Sequence, residues 1–400
     1  MTRKDIPQTM RGRSAAGRIA LALSSVVILA GALGCGETAS ESPTIDVAKL
    51  DSGNYPTTPR DMNSVKDDIS GAVQESIRMA EFMPLMLDID SRLIYGRSAI
   101  TRAHTAKFSP TLSSKEIKFA DAAPGLVSGW STYGNRRPGQ QPGLRIELTL
   151  LRFDSAEHAA NAARVMSEDD NKQYAPKGPL TIGGYPASSA FLTKYDSVSS
   201  FTPQDNYLAK LYINSPMATP PDPAPLTDLA KTVLDRLFES LKGYKPTPPN
   251  QLAEVPKDVD GLLGRTIPLD KPTAYTGIYS PHAALHRQSL PDSSKQAFAD
   301  AKVDLVAEQD DFIYRTADAA AAKRLMAASL NQVEDRYEAT DSPPGLPTAK
   351  CLKLKDESVS DVKFRCYLPY DRYLALVPSD QPQDLHQKTA AQYKLLAAGR

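Results

Sequence analysis

The chain has 400 residues with 47 basic and 47 acidic side chains, so its formal net charge is zero. Its length accommodates two ordinary domains of about 100–200 residues each, and an apolar share of 41% excludes wholesale disorder. Five of the basic residues but only one of the acidic ones precede Cys35, which leaves the remainder acidic by four and argues against nucleic acid as a partner, since phosphate binding needs a basic excess or stripe.

Residues 1–18 carry Arg3, Lys4, Arg11, Arg13 and Arg18 against Asp5, and residues 19–33 then run apolar. That run is shorter than the roughly 20 residues of a spanning helix. Small residues and a cysteine follow it, so 1–34 reads as a lipoprotein signal peptide rather than an uncleaved signal anchor. Ala32-Leu33-Gly34-Cys35 resembles a lipobox, with Ala32 and Leu33 in an unusual order. Cys35 is the expected lipidation site, and two acyl chains on one cysteine make a stable anchor. The polar, acidic stretch that follows cannot bury apolar surface, and 35–45 reads as a flexible tether.

The first α+β domain is expected over 46–243. It begins extended, through Tyr55-Pro56-Thr57-Thr58-Pro59. A helix follows over 65–86, capped by Asn63 or Ser64 and ended or kinked by Pro84, with Val73, Ile77, Phe82 and Met86 at helical spacing. Residues 124–133 and 144–153 read as strands, the second with Leu144, Ile146, Leu148 and Leu150 alternating against polar neighbours. Asn135-Arg136-Arg137-Pro138-Gly139 is a turn between them, and Asp154 or Ser155 caps an alanine-rich helix to about Ser167. Strands near 189–194 and 206–213 and a helix over 226–241 complete the unit. A Pro-rich linker, 244–258, separates it from a second α+β domain, 259–400.

The second domain repeats the first. At an offset of 161, Ser155-Ala156-Glu157-His158 meets Thr316-Ala317-Asp318-Ala319, Gly184-Tyr185-Pro186 meets Gly345-Leu346-Pro347, and Lys194 meets Lys355. After five inserted residues, Asp205-Asn206-Tyr207-Leu208-Ala209 meets Asp371-Arg372-Tyr373-Leu374-Ala375. The expected fold is α+β: two diverged copies of an antiparallel sheet with helices packed on one face. Cys351 and Cys366, the only cysteines beyond Cys35, fall on adjacent strands and in an exported chain favour a disulfide. A loop of that size contributes on the order of 3 kcal/mol in the chain-entropy model.

Chemistry-bearing candidates each meet a simpler reading. His282 and His286 have zinc-like spacing but no glutamate of an HExxH motif between them. Asp88 and Asp90 lack the surrounding ligands of an acid/base or calcium site, and Gly125-Leu126-Val127-Ser128-Gly129 has the wrong spacing for a nucleophile elbow. Gly183-Gly184 is a turn, Trp130 and the Met79, Met83 and Met86 cluster read as core, and Arg136 and Arg137 as solvated loop charges. No catalytic residue, metal ligand or cofactor is assigned.

The Asp51–Arg60 run, Arg78-Met79-Ala80-Glu81-Phe82, Arg152-Phe153-Asp154-Ser155-Ala156 and Gly184-Tyr185-Pro186 resemble a family of actinobacterial envelope lipoproteins of unknown function with two related domains. The resemblance implies an exported protein, lipid-anchored on the outer face of the cell membrane, and transfers no catalytic residues. The expected role is a noncatalytic ligand-binding or sensor-like interaction module whose partner is an envelope lipid, a cell-wall component or a protein, with its site in the cleft between domains. The alternative is an envelope enzyme or transport accessory acting on lipid or cell-wall material.

Overall fold

A computed structural model describes residues 45–64, 66–97, 100, 102–115, 118–139, 141–215, 222–271, 273–359 and 362–399; Cys35 and the signal sequence lie outside them. The first unit contains α1 (Asp68–Ala80), α2 (Met86–Ile89), β1 (Ala103–His104), α3 (Phe119–Ala122), β2 (Leu126–Asn135), β3 (Arg145–Phe153) and α4 (Ala156–Gln173), then β4 (Gly178–Leu180), β5 (Ser189–Leu192), β6 (Val198–Gln204), β7 (Tyr207–Asn214) and α5 (Ala224–Leu241). The second contains β8 (Gly277–Tyr279), α6 (Pro281–Leu285), α7 (Pro291–Ala301), β9 (Leu305–Glu308), β10 (Phe312–Arg315) and α8 (Ala319–Asn331), then β11 (Tyr337–Thr340), β12 (Lys350–Leu354), β13 (Phe364–Tyr370), β14 (Tyr373–Ser379) and α9 (Pro382–Ala397).

Among the described residues these strands make two antiparallel seven-stranded sheets, ordered β1-β2-β3-β7-β6-β5-β4 and β8-β9-β10-β14-β13-β12-β11. The orders are the same topology: three strands, a helix, four strands, a helix. The equivalence extends to single backbone groups. Gly184 and Gly345 hold φ of 85° and 79°, the left-handed region that glycine enters without Cβ strain. Beside them Tyr185 N donates to Ile182 O at 3.1 Å and Leu346 N to Pro343 O at 3.0 Å. Asp205 and Asp371, at φ of 50° and 48°, turn the β6–β7 and β13–β14 hairpins. Pro203 and Pro369 occupy the same place near those turns, beyond the last residues that pair with β5 and β12, where the missing N–H costs no ladder bond. The alanine-rich helices are capped by Ser155 and Asp318, which accept from His158 N and Ala321 N. Their offset is therefore 163, two more than the sequence alignment assigned.

The class is α+β, and helices cover both faces of each sheet. On β3, Leu148 and Leu150 face α5 through Val233 and Leu237, while Leu151 and Phe153 face α4 through Ala159 and Met166. The alternating pattern from Leu144 to Leu150 displays only the first face; the apolar pair Leu151 and Phe153 supplies the second. In the second unit, Ile313 and Ala375 face α9, and Tyr314 and Leu374 face α8. Cys351 and Cys366 lie directly opposite on β12 and β13, their Cα atoms 4.0 Å apart, joined by a disulfide.

Residues 45–62 pack on the second sheet before the chain enters the first unit. Leu50 is buried with Leu346 and Leu385, Lys394 Nζ donates to Leu50 O at 2.8 Å, Tyr55 OH to Asp384 Oδ1 at 2.5 Å, and Arg60 N to Gly264 O at 3.0 Å. The Pro-rich connector is likewise fixed: Tyr244 is buried, and Thr247 bonds into the first unit.

Helix α1 holds these parts together. It begins at Asp67, which accepts from Ser70 N, rather than at Asn63, whose Oδ1 accepts from Lys257 N at 2.9 Å. It ends at Ala80, before Pro84. Residues 71–77 are all buried, including three consecutive polar side chains that must each find partners. Gln74 Nε2 donates to Ile278 O at 2.7 Å, and its Oε1 accepts from Ile278 N at 3.0 Å, on β8 of the second sheet. Glu75 accepts from Thr247 N at 2.8 Å, Thr247 Oγ1 at 2.9 Å, Arg78 at 2.6 Å and the Tyr244 hydroxyl, with Arg152 at 3.8 Å. Ser76 Oγ accepts from Gly129 N at 3.1 Å on β2 of the first sheet. Gly71 admits the Leu252 carbonyl, which would lie 1.9 Å from a Cβ at this position. Removing the Glu75 carboxylate strands buried Arg152 and the Thr247 donors. Glu75→Ala is therefore expected to lower unfolding stability by about 3–5 kcal/mol in urea titrations; a loss under about 1 kcal/mol would remove Glu75 from this role.

Candidate functional site: a groove on the second sheet

The residues singled out in the sequence are mostly occupied in holding the fold. His282 and His286 do share a face of the chain, with ring centroids 5.3 Å apart, but they cap the end of α1. His282 Nε2 bonds Met83 O at 2.8 Å, just beyond the helix, and His286 Nε2 donates to Ala80 O at 3.1 Å, adding a second bond to a carbonyl that also accepts from Met83 N at 3.2 Å. His286 Nδ1 then accepts from Thr132 Oγ1 at 2.7 Å, which fixes a neutral tautomer. Burial, helped by the neighbouring His282, pushes the His286 pKa down to about 3. Trp130 is fully buried, edge-on to Tyr279 and His286, and Met79, Met83 and Met86 are core. Asp88 and Asp90 pair separately with Lys295 and Arg92. Ser128 is buried against Arg152, and among the described residues no three or more His, Cys, Asp or Glu side chains are grouped to hold a metal.

One pairing escapes sequence reasoning. His104 Nε2 lies 2.7 Å from Ser131 Oγ, which lies 2.6 Å from Thr149 Oγ1. The distances suit a nucleophile and base, but the environment does not. His104 Nδ1 is buried without a hydrogen-bond partner, and desolvation lowers the ring to about 3, too weak a base to take the serine proton at neutral pH. Its neighbours in the fold are two strands that sequence spacing could not bring together, β1 pairing β2 at His104 and Gly129.

A groove of about 500 Å³ lies where α8 stops short. Its equivalent α4 runs 18 residues and α8 only 13, a difference of about 7 Å of helix. The last turns of α4 reach β5 and β6, where Ser167 Oγ meets Ser189 Oγ at 2.6 Å and Asp170 accepts from Ser199 Oγ at 3.5 Å. In the second unit the shorter helix stops before it reaches this far, and the surface of β11 and β12 beyond it is left open. Leu330, Tyr337, Ala339 and Leu352 give the groove an apolar lining, and Asn331, Glu334, Thr340, Ser342 and Lys350 give it polar groups, with Cys351 of the disulfide beside them. Arg365 stacks 4.0 Å over the Tyr337 ring and holds it in place. The volume falls in the usual range for ligand sites, and the mixture of apolar walls with a few polar groups is their usual chemistry.

The outer wall is the edge strand β11. Lys355 N donates to Arg336 O at 2.9 Å, which turns the backbone of Glu338 and Thr340 towards β12 and that of Ala339 outwards. The junction between the units is filled instead by shared core and by the caps on α1, and its cavity is much smaller, about 90 Å³.

This duplicated α+β architecture belongs to a defined sequence family. Residues 62–257 match the family model described as Domain of unknown function (DUF7373) N-terminal, and residues 262–399 match Domain of unknown function (DUF7373) C-terminal; the chain is a member of this DUF7373 family. No curated protein sequence matches it. Among solved structures, the extracellular domain of PknH from Mycobacterium tuberculosis aligns at 8% identity, over 41% of this chain and 96% of that one, with a TM-score of 0.31, too distant to carry a functional argument.

Both His104 and His286 are held neutral, with folded pKa values near 3 against about 6.5 when unfolded. Their contribution is complete above pH 6.5 and is lost as pH falls towards 3, at about 1.4 kcal/mol per pH unit for each ring. Denaturant midpoints are expected to fall between pH 7 and 5, with a shallower fall in His286→Gln even though that variant is weaker at pH 7. Equal slopes in the two proteins would show that His286 is not the titrating group.

Proposed function

We propose that the protein is a noncatalytic ligand-binding or interaction module, held on the outer face of the cell membrane by a lipid on Cys35. The groove beneath the short α8 carries the binding reading: it has the volume of a ligand site, an anchored aromatic in Tyr337, and polar groups of both charges at its margin. The occupied state of His282, His286, Asp88, Asp90 and Ser128 supports binding over chemistry. The anchor reading rests on the sequence alone, on the apolar run and Ala32-Leu33-Gly34-Cys35. Among the described residues no helix is long and apolar enough to cross a membrane. A module of this kind recognises an envelope lipid, a cell-wall component or a protein.

Cys35→Ala is expected to move the protein from the membrane to the soluble fraction with its circular dichroism unchanged. Persistent membrane association would replace the lipid anchor with an uncleaved apolar helix. Ala339 is exposed in the groove, so Ala339→Arg is expected to fill it without unfolding the sheet. Lipid and protein analysis of the native complex should then lose whatever accompanies the wild type. A companion set identical in both proteins would remove the groove from the function.

A further inference from the structure

The small cavity at the junction of the two units has an unbalanced charge. It lies where residues 45–62, α1 and the loop before β8 meet, and Arg60, Lys257 and Lys271 line it with Gln74, Thr276 and Gln309. Lys257 is accounted for, since its Nζ lies 2.8 Å from Asp67 Oδ2. Arg60 is not. Its half-buried guanidinium donates from Nη2 to Gln309 Oε1 at 3.1 Å and to Thr266 O at 3.4 Å, both neutral acceptors, and no carboxylate among the described residues forms an ion pair with it. Lys271 is exposed at the cavity and likewise has no ion pair among the described residues.

The acids whose field reaches Arg60 are committed elsewhere. Asp258 accepts from Leu263 N at 2.8 Å and Gly264 N at 2.9 Å, and Asp311 accepts from Ile267 N at 2.8 Å. Burial raises the pKa of both. A guanidinium drawn partly out of water without a counterion is costly, and an anion in the adjoining space removes that cost. The cavity has room for one small tetrahedral anion and not for a larger skeleton.

We propose that this junction cavity binds a phosphate or sulfate group, free or at the end of a larger molecule, with Arg60 and Lys271 as its charged ligands. The site is separate from the groove and does not depend on its function. Because its walls come from both units and from the N-terminal segment, a bound anion holds all three together, and binding appears as added stability.

Inorganic phosphate titrated into the full chain, with ionic strength held constant by sodium chloride, tests the proposal. Calorimetry is expected to show saturable binding, and Tm to rise by about 2–5 °C at saturation. Lys271→Glu is expected to weaken binding at least tenfold, whereas the charge-matched Lys323→Glu on α8, outside the cavity, leaves it unchanged. A parallel titration with glycerol 3-phosphate separates the sources: tighter binding than inorganic phosphate assigns the site to a phosphate ester such as a lipid headgroup, and equal or weaker binding assigns it to the free oxyanion. No saturable binding of either probe, or equal losses in the Lys271 and Lys323 variants, would overturn the site.

Discussion

The burial of Gln74, Glu75 and Ser76 on α1 is the constraint on which the rest of the molecule depends. Three adjacent side chains on a helix point in three directions, about 100° apart. Here those directions lead to β8 of the second sheet, to the connector at Thr247, and to β2 of the first sheet. None of these polar groups can be left unsatisfied inside the fold without a cost of about 1–3 kcal/mol, and more for the charged one. The helix therefore fixes both sheets and the segment between them in one arrangement. The imidazoles of His282 and His286 bond the backbone at the other end of the same helix, so the second unit also grips that end.

Duplication explains the architecture, and its divergence explains the candidate site. The two copies retain the left-handed glycine, the aspartate turn and the proline near the hairpin end, all places where backbone geometry restricts the residue. They differ where the chain meets solvent. The β5–β6 turn closes Thr193 N onto Ser197 O, whereas its counterpart spans from Leu354 N to Lys363 O and takes up the five added residues. The shortened α8 is the second difference, and it opens the groove over β11 and β12. The disulfide joins β12 to β13, next to the part of the sheet without helical cover.

The repeat was legible in the sequence because turns and caps restrict residue type: Gly184 with Gly345, and Asp205 with Asp371. The strand β3 and helices α4 and α5 were legible from their periods. Strand β6 was not, since Val198, Ser199, Ser200, Phe201 and Thr202 are all buried and so show no alternation, and Pro203 argues against a strand unless it is known to lie beyond the end of the β5 pairing. The burial of the polar triplet on α1 was not legible, because hydropathy cannot show that a glutamate is enclosed by partners 169 and 172 residues away. The packing of residues 45–62 on the second sheet had no local signal. The groove arises from the relative lengths of two helices, and the sequence placed the site between the domains instead.

In the functional reading, a rigid two-copy body carries a groove on one copy, with residues 45–62 packed along the second sheet. The two copies form a single cooperative body although each has its own sheet. Differential scanning calorimetry of the full chain tests this directly. Sharing of α1 requires one transition, with calorimetric and van't Hoff enthalpies equal. Two resolved transitions, or a calorimetric enthalpy well above the van't Hoff value, would contradict it.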